Sequence, residues 1–175
     1  LRKTRRTLIG LVFLLMSFTI ASVSAFVYES AQQTITQTIR EIANITLQNS
    51  ALGDIEEGET KSYTKNEVAE LGDAISVVTT KALVYIHLNS DLDTLAPYYS
   101  TYSIAVKFAT VPGGSGHSAG DLACTLTLGS PSYSSIDLDV AGSWTFDFEI
   151  TTTAQSVLAD QPTTVTITVS AESTA

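Results

Sequence analysis

Apolar residues in this chain recur at every second position, the spacing of strands that bury one face and wet the other. Ile104, Val106 and Phe108 share one face of residues 98–111, and Tyr98 and Tyr102 extend that row. The same alternation runs through Leu122, Cys124, Leu126 and Leu128, then through Ile136, Leu138 and Val140. It returns in Trp144, Phe146, Phe148 and Ile150, and again in Val165, Ile167 and Val169. A further strand is predicted over residues 74–88, with Leu83, Tyr85 and His87 facing away from Val84, Ile86 and Leu88, and a short one over residues 61–64.

Turn chemistry separates these segments. Residues 129–132 (Gly-Ser-Pro-Ser) and 141–143 (Ala-Gly-Ser) punctuate the strands, and residues 112–116 (Pro-Gly-Gly-Ser-Gly) read as a flexible loop. Helix is confined to one or two short pieces, one capped by Asn66 and running from Glu67 to Leu71 before Gly72, another capped by Ser90 before Pro97. The tail over residues 170–175 is expected to fray. The pattern as a whole predicts a mainly β protein, an antiparallel β-sandwich.

Residues 33–47 fit two periods. Ile35, Ile39, Ile42 and Thr46 make a helical stripe, whereas Ile35, Ile39, Ala43, Ile45 and Leu47 make a strand face interrupted by Gln37 and Glu41. Strand is preferred, because Thr34, Thr36 and Thr38 are β-branched and alternate on the opposite face.

The N-terminus changes the setting. Basic residues at 2, 3, 5 and 6, an apolar run from Leu8 to Ile20 and small residues at 23–25 read as a secretory signal peptide cut after Ala25. A membrane anchor and a prepilin-type leader are the rival readings. Ser17, Thr19, Ser22 and Ser24 interrupt the first, and Gly10 sits inside the apolar run rather than before it, unlike the second. Thr4-Arg5-Arg6 also resembles a loose twin-arginine signal. Removing residues 1–25 leaves 175 − 25 = 150 residues with 9 − 4 = 5 Lys/Arg against 18 Asp/Glu, a balance of 5 − 18 = −13. Nucleic acid and anionic lipid are poor partners for such a surface, and the membrane is met only during export. Cys124 is the only cysteine, so no disulfide within the chain braces the fold.

The layout carries a resemblance. After the leader come residues 26–31 (Phe-Val-Tyr-Glu-Ser-Ala), the Thr/Ile-rich segment, residues 50–60 (Ser-Ala-Leu-Gly-Asp-Ile-Glu-Glu-Gly-Glu-Thr) and a β-rich body. This order resembles archaeal bundling-pilus and thread subunits, which are similar to the TasA/camelysin family of biofilm fibre proteins. The resemblance implies a jelly-roll-like subunit that builds an extracellular, cell-surface filament for adhesion or biofilm cohesion. Its N-terminal donor strand, within residues 26–50, would complete the next copy's body, residues 51–175. The partner would be the chain itself in a head-to-tail homopolymer, with bundling between filaments, and the inserted side chains would be Ile35, Ile39, Ala43, Ile45 and Leu47. Strand addition pairs an open sheet edge while alternate side chains fill pockets, so the mechanism is physically sound. Four or five buried apolar side chains contribute on the order of 6–15 kcal/mol before association costs. The competing readings make residues 33–47 the first strand of their own sandwich, or a helix packed on it. Other function classes are a secreted glycan-binding module or adhesin and a type IV pilin-like surface protein.

Candidate chemistry is sparse. Asp91 with Asp93, Asp137 with Asp139, Asp147 with Glu149, and the group Asp54, Glu56, Glu57 and Glu59 offer oxygen ligands that would suit calcium. No segment has the glycine and terminal glutamate of a calcium loop, so solvated strand faces explain these acids more simply, and no cofactor is expected otherwise. Asn44-Ile45-Thr46 is the one glycosylation sequon, with Asn44 on the face opposite Ile45. His87 and His117, the only histidines, sit in no zinc, triad or phosphate motif, and no enzyme is expected. Cys124 shares its face with leucines and reads as a small buried hydrophobe. Trp144, Phe146 and Phe148 could stack on sugars, but their alternation with Thr145, Asp147 and Glu149 argues for core.

Overall fold

In the computed structural model, residues 42–129, 132–156 and 162–173 are described, and they form a two-sheet antiparallel sandwich. Nine strands follow in order: β1 (Ala43–Leu47), β2 (Thr60–Tyr63), β3 (Ile75–Thr79), β4 (Val84–Ser90), β5 (Tyr99–Thr110), β6 (Leu122–Thr127), β7 (Tyr133–Leu138), β8 (Gly142–Ala154) and β9 (Ile167–Ser173). The larger sheet has the order β1-β3-β8-β5-β6, and β2 lies beside the far half of β8. The smaller sheet is β7-β4-β9. The chain changes sheet between β3 and β4, β4 and β5, β6 and β7, β7 and β8, and β8 and β9, a jelly-roll-like winding.

Alternation explains the core. Trp144, Phe146, Phe148 and Ile150 of β8 and Tyr102, Ile104, Val106 and Phe108 of β5 turn inward onto Val84, Ile86 and Leu88 of β4 and Ile136 and Leu138 of β7. Trp144 and Phe146 are fully buried, and the indole N–H of Trp144 donates to the carbonyl of Val140 at 3.2 Å, so its burial strands no donor. These aromatics therefore form core and offer no sugar-stacking platform.

Several sequence expectations are corrected. Residues 74–88 are two strands in different sheets, because the chain reverses through residues 80–83, where Leu83 takes φ 58°. No glycine or proline marks that reversal. The segment expected to fray is the body of β9 through Ser173, held by the full ladder to β4, and β9 begins at Ile167 rather than Val165. Leu122 is 58 % exposed, because a bulge between Val106 and Lys107 sets it opposite outward-facing Lys107 rather than on the face of Cys124.

Both helical pieces are single 3-10 turns, Ala69–Leu71 and Leu92–Leu95. Asn66 and Ser90 do not cap them. The first begins at Val68 with no side-chain cap, and Thr64 and Glu67 instead close the turn that precedes it. The Thr64 N–H donates to Glu67 Oε2 at 2.8 Å, the Thr64 hydroxyl bonds the same carboxylate, and Thr64 Oγ1 accepts from the Asn66 N–H at 3.2 Å. These bonds hold the Glu67 carboxyl below its ordinary value, the Thr64 hydroxyl foremost. Ser90 ends β4, and Asp91 precedes the second turn without a side-chain cap.

Candidate assembly edge

Among the described strands β1 is the outermost of the larger sheet, paired with β3 in the register Ala43↔Thr79, Ile45↔Val77, Leu47↔Ile75. Its odd residues face the core side, since Ile75 and Val77 are fully buried. Ala43 and Ile45 are half-buried against that core, while Leu47, at the strand's end, stays 44 % exposed. Asn44 and Thr46 face outward and are exposed, which places the sequon asparagine on the wet face, opposite Ile45 as expected.

Hydrogen-bond parity orients the strand's other edge. The Thr80 N–H donates to the Ile42 carbonyl at 3.1 Å and the Gln48 N–H to the Ala74 carbonyl at 3.0 Å, so even-numbered residues of β1 bond to β3. The N–H and C=O groups of Ala43, Ile45 and Leu47 therefore point away from β3, along the outer edge. The ladder to β4 gives β9 the same parity: the Asp91 N–H donates to the Thr166 carbonyl, and Ile167, Val169 and Ala171 direct their backbone outward.

Residues 48–59 join β1 to β2 without regular structure, and most of them are exposed. Lys61 fastens the end of this connector, donating to the Asp54 carbonyl at 2.8 Å and pairing with Glu59 at 3.1 Å. The Glu59 carboxyl is held below its ordinary value by the Glu56 N–H first and by Lys61 second. Glu56 and Glu57 share this connector with Asp54 and Glu59, so four carboxylates lie in six residues, which favours extension over collapse.

Ile35 and Ile39 lie outside the described residues. Of the proposed inserted side chains, Ala43, Ile45 and Leu47 are therefore seen, and they are seated on their own chain.

Three of the acids singled out as calcium candidates, Asp91, Asp93 and Asp139, act as clasps for loops. Asp91 Oδ1 accepts the Thr166 N–H at 2.7 Å, fixing the entry to β9, and Asp93 Oδ1 accepts the Gly129 N–H at 3.0 Å. Asp139 accepts the Gly116 N–H and the Ser115 hydroxyl, both at 2.6 Å, which together hold its carboxyl below the ordinary value. Asp137 keeps one buried oxygen, Oδ1, without a hydrogen-bond partner. Among the described residues no three His, Cys, Asp or Glu side chains converge as metal ligands.

The loop read as flexible is thus pinned. His117 stacks on Phe108 with ring centroids 4.6 Å apart and meets Trp144 at 6.0 Å, closing one end of the sandwich. His87 lies on the polar face of the smaller sheet between Ser135 Oγ (2.7 Å) and Glu172 Oε2 (3.2 Å), tying all three strands of that sheet together. Neither contact has a local signal, because the partners of each histidine are far away in sequence. Cys124 is buried, and that burial pushes its thiol up against the opposing effect of a bond to Ser134.

No protein-family profile matches this chain, and no curated protein matches its sequence.

Proposed function

We propose that this chain is the structural subunit of an extracellular filament, exported by its N-terminal leader and assembled by donor-strand complementation. One observation supports the reading above others: among the described residues β1 is an edge strand with apolar residues facing inward, held by a single ladder and followed by an exposed acidic connector. The ladder bonds of the even-numbered residues and the apolar packing of Ala43 and Ile45, which seat β1 on β3 of its own chain, are equally available on β3 of a neighbour. Exchange then costs chiefly the rearrangement of residues 48–59, whose twelve residues span up to about 40 Å when extended. The contact is head-to-tail and does not close on itself, so repetition gives a fibre. Residues upstream of Ile42, including Ile35 and Ile39, would lengthen the donated strand.

The test uses Asn44 and Val78, which face each other across the β1–β3 ladder on the outer surface. Their Cα atoms stand roughly 5.5 Å apart as a hydrogen-bonded pair, within disulfide range. Oxidising assembled Asn44→Cys/Val78→Cys protein is expected to give a ladder of covalent oligomers on a non-reducing gel, with buried Cys124 silent. Covalent monomers alone from assembled material would refute strand exchange.

A further inference from the structure

The two sides of the sandwich are not equally closed. On one side β6 and β7 stand next to each other, and their inward side chains Cys124, Leu126, Ile136 and Leu138 are all buried, although neither strand has an outer neighbour among the described residues. On the other side stand β1 and β9. There Ala43 and Ile45 of β1 and Ile167, Val169 and Ala171 of β9 pack on the core but stay half-buried. Lying at an edge does not by itself explain that exposure, since the opposite edges of the same two sheets are dry. Between β1 and β9 runs an apolar trough, and the outward N–H and C=O groups of Ile167, Val169 and Ala171 form its β9 rim. An apolar row beneath an open row of backbone groups suits one further strand, which pairs with the rim and turns alternate side chains onto the row.

The point at which the chain enters β1 names the occupant. The Ile42 carbonyl accepts from the Thr80 N–H, and four residues further on Val84 pairs with Ser173, the last residue of β9. The residues that precede Ile42 therefore join β1 at the end of the trough where β9 finishes. β3 offers them no further ladder, because after Thr79 the chain leaves the larger sheet and enters β4. β9 has seven residues, and so has the segment 33–39. The segment sets Ile35 and Ile39 on one face and Thr34, Thr36 and Thr38 on the other. That alternation matches β9, whose Thr168, Ser170 and Glu172 are exposed opposite its apolar row. Arg40 continues the threonine row, toward the exposed carboxylate of Glu172 at the same end of the strand.

We infer that residues 33–39 of a neighbouring copy form a tenth strand along β9, parallel to it, with Ile35 and Ile39 seated in the trough. That the copy is a neighbour rests on the exchange of β1 proposed above, since the body whose β3 receives β1 also receives the residues just before it. The donated element then has two parts. Residues 43–47 complete the larger sheet and residues 33–39 the smaller one, so a single crossing segment closes the open side on both layers.

The test pairs a cysteine on the threonine row of the segment with one on the wet face of β9 in the exported chain. Adjacent strands stand about 4.8 Å apart, within disulfide range. Oxidising assembled Thr36→Cys/Ser170→Cys protein is expected to give a ladder of covalent oligomers on a non-reducing gel. Thr36→Cys/Thr168→Cys, one step along the same face, should do so too and serves if the first variant fails to fold. Thr36→Cys/Thr125→Cys, with its acceptor on β6 at the closed side, should give none, and circular-dichroism melts confirm that each variant is folded. No crosslink through either β9 position would overturn the inference, as would an equal yield through Thr125→Cys. Covalent monomers alone through β9 would overturn the neighbour as occupant. A ladder through Asn44→Cys/Val78→Cys without one through β9 would leave β1 exchange standing and remove only the tenth strand. A ladder through β9 with covalent monomers alone through Asn44→Cys/Val78→Cys would keep the trough as the joint between copies and remove β1 exchange.

Discussion

Ile45→Ala separates a strand that exchanges between two equivalent sites from one that is free until it finds a neighbour. The substitution removes three carbon groups from a half-buried side chain that packs opposite fully buried Val77. At about 0.8 kcal/mol per buried methylene the full transfer term is about 2.4 kcal/mol, and partial burial lowers it to about 1.2–1.8 kcal/mol. The site opens to solvent at the sheet edge, so little cavity term is added. The monomer melt should fall by roughly 3–6 °C, while Thr46→Ala on the wet face should stay within about 0.5 kcal/mol of the parent. Assembly should respond differently. The side chain sits in the same register in its own body and in a neighbour's, so the loss cancels in the exchange equilibrium. The critical concentration for fibre formation, measured by pelleting, should then move little, less than about threefold. Release of β1 becomes easier, so assembly started from monomer should speed up, by as much as roughly 8- to 20-fold if opening limits the rate. A critical concentration that rises in step with the loss of stability would refute this reasoning, since it would mean the free monomer does not hold β1. A melt that matches Thr46→Ala would refute the seating of Ile45 itself.

The remaining expectations concern the body. Gly142→Ala should destabilise it by about 2–3 kcal/mol in a urea titration, because Gly142 has φ 148° and an added Cβ would meet the Pro112 ring at 2.8 Å. A parent-like urea midpoint would show that the Pro112 loop yields freely. Thr64→Ala should cost about 1 kcal/mol through loss of the hydroxyl bonds that close the turn at residues 64–67, with Asn66→Ala close to neutral, and the opposite ranking would refute that closure. Asp139 has its carboxyl held down in the folded state, so its contribution is complete above the unfolded value near 3.8 and is lost as pH falls through the lower folded value. Amide exchange at Gly116 should therefore accelerate below that range in the parent. In Asp139→Asn the exchange should already be fast at neutral pH, and protection unchanged by the substitution would refute the clasp. Cys124, buried with its thiol pushed up, should react with a thiol reagent at the rate of unfolding, so rapid labelling of native protein would contradict its burial.

Strand faces were legible in the chain wherever one side of a strand is dry. The inward rows of β5 and β8 follow directly from alternation, because a period of two allows only two sets of side chains and only one of them is apolar. The same logic placed Asn44 and Ile45 on opposite faces of β1 and made Cys124 a core residue. What alternation cannot encode is which strands become neighbours. Strands 75–79 and 84–90 read as one run, yet they enter different sheets, because burial rewards each half on a different layer and Leu83 accepts a positive φ to permit it. Leu122 belongs to the apolar row by spacing and leaves it by a bulge. His117 gains an aromatic bed only once Phe108 and Trp144 stand side by side, and Asp91, Asp93 and Asp139 become clasps only when distant loops arrive beside them. The sequence by itself determined that this protein is built of strands and which side of most of them is dry, because that depends on neighbours two residues away. Only the tertiary structure decided that β1 sits at an edge among the described strands, since an edge is defined by what pairs beside it, and pairing across long loops is settled by the packing of the whole core.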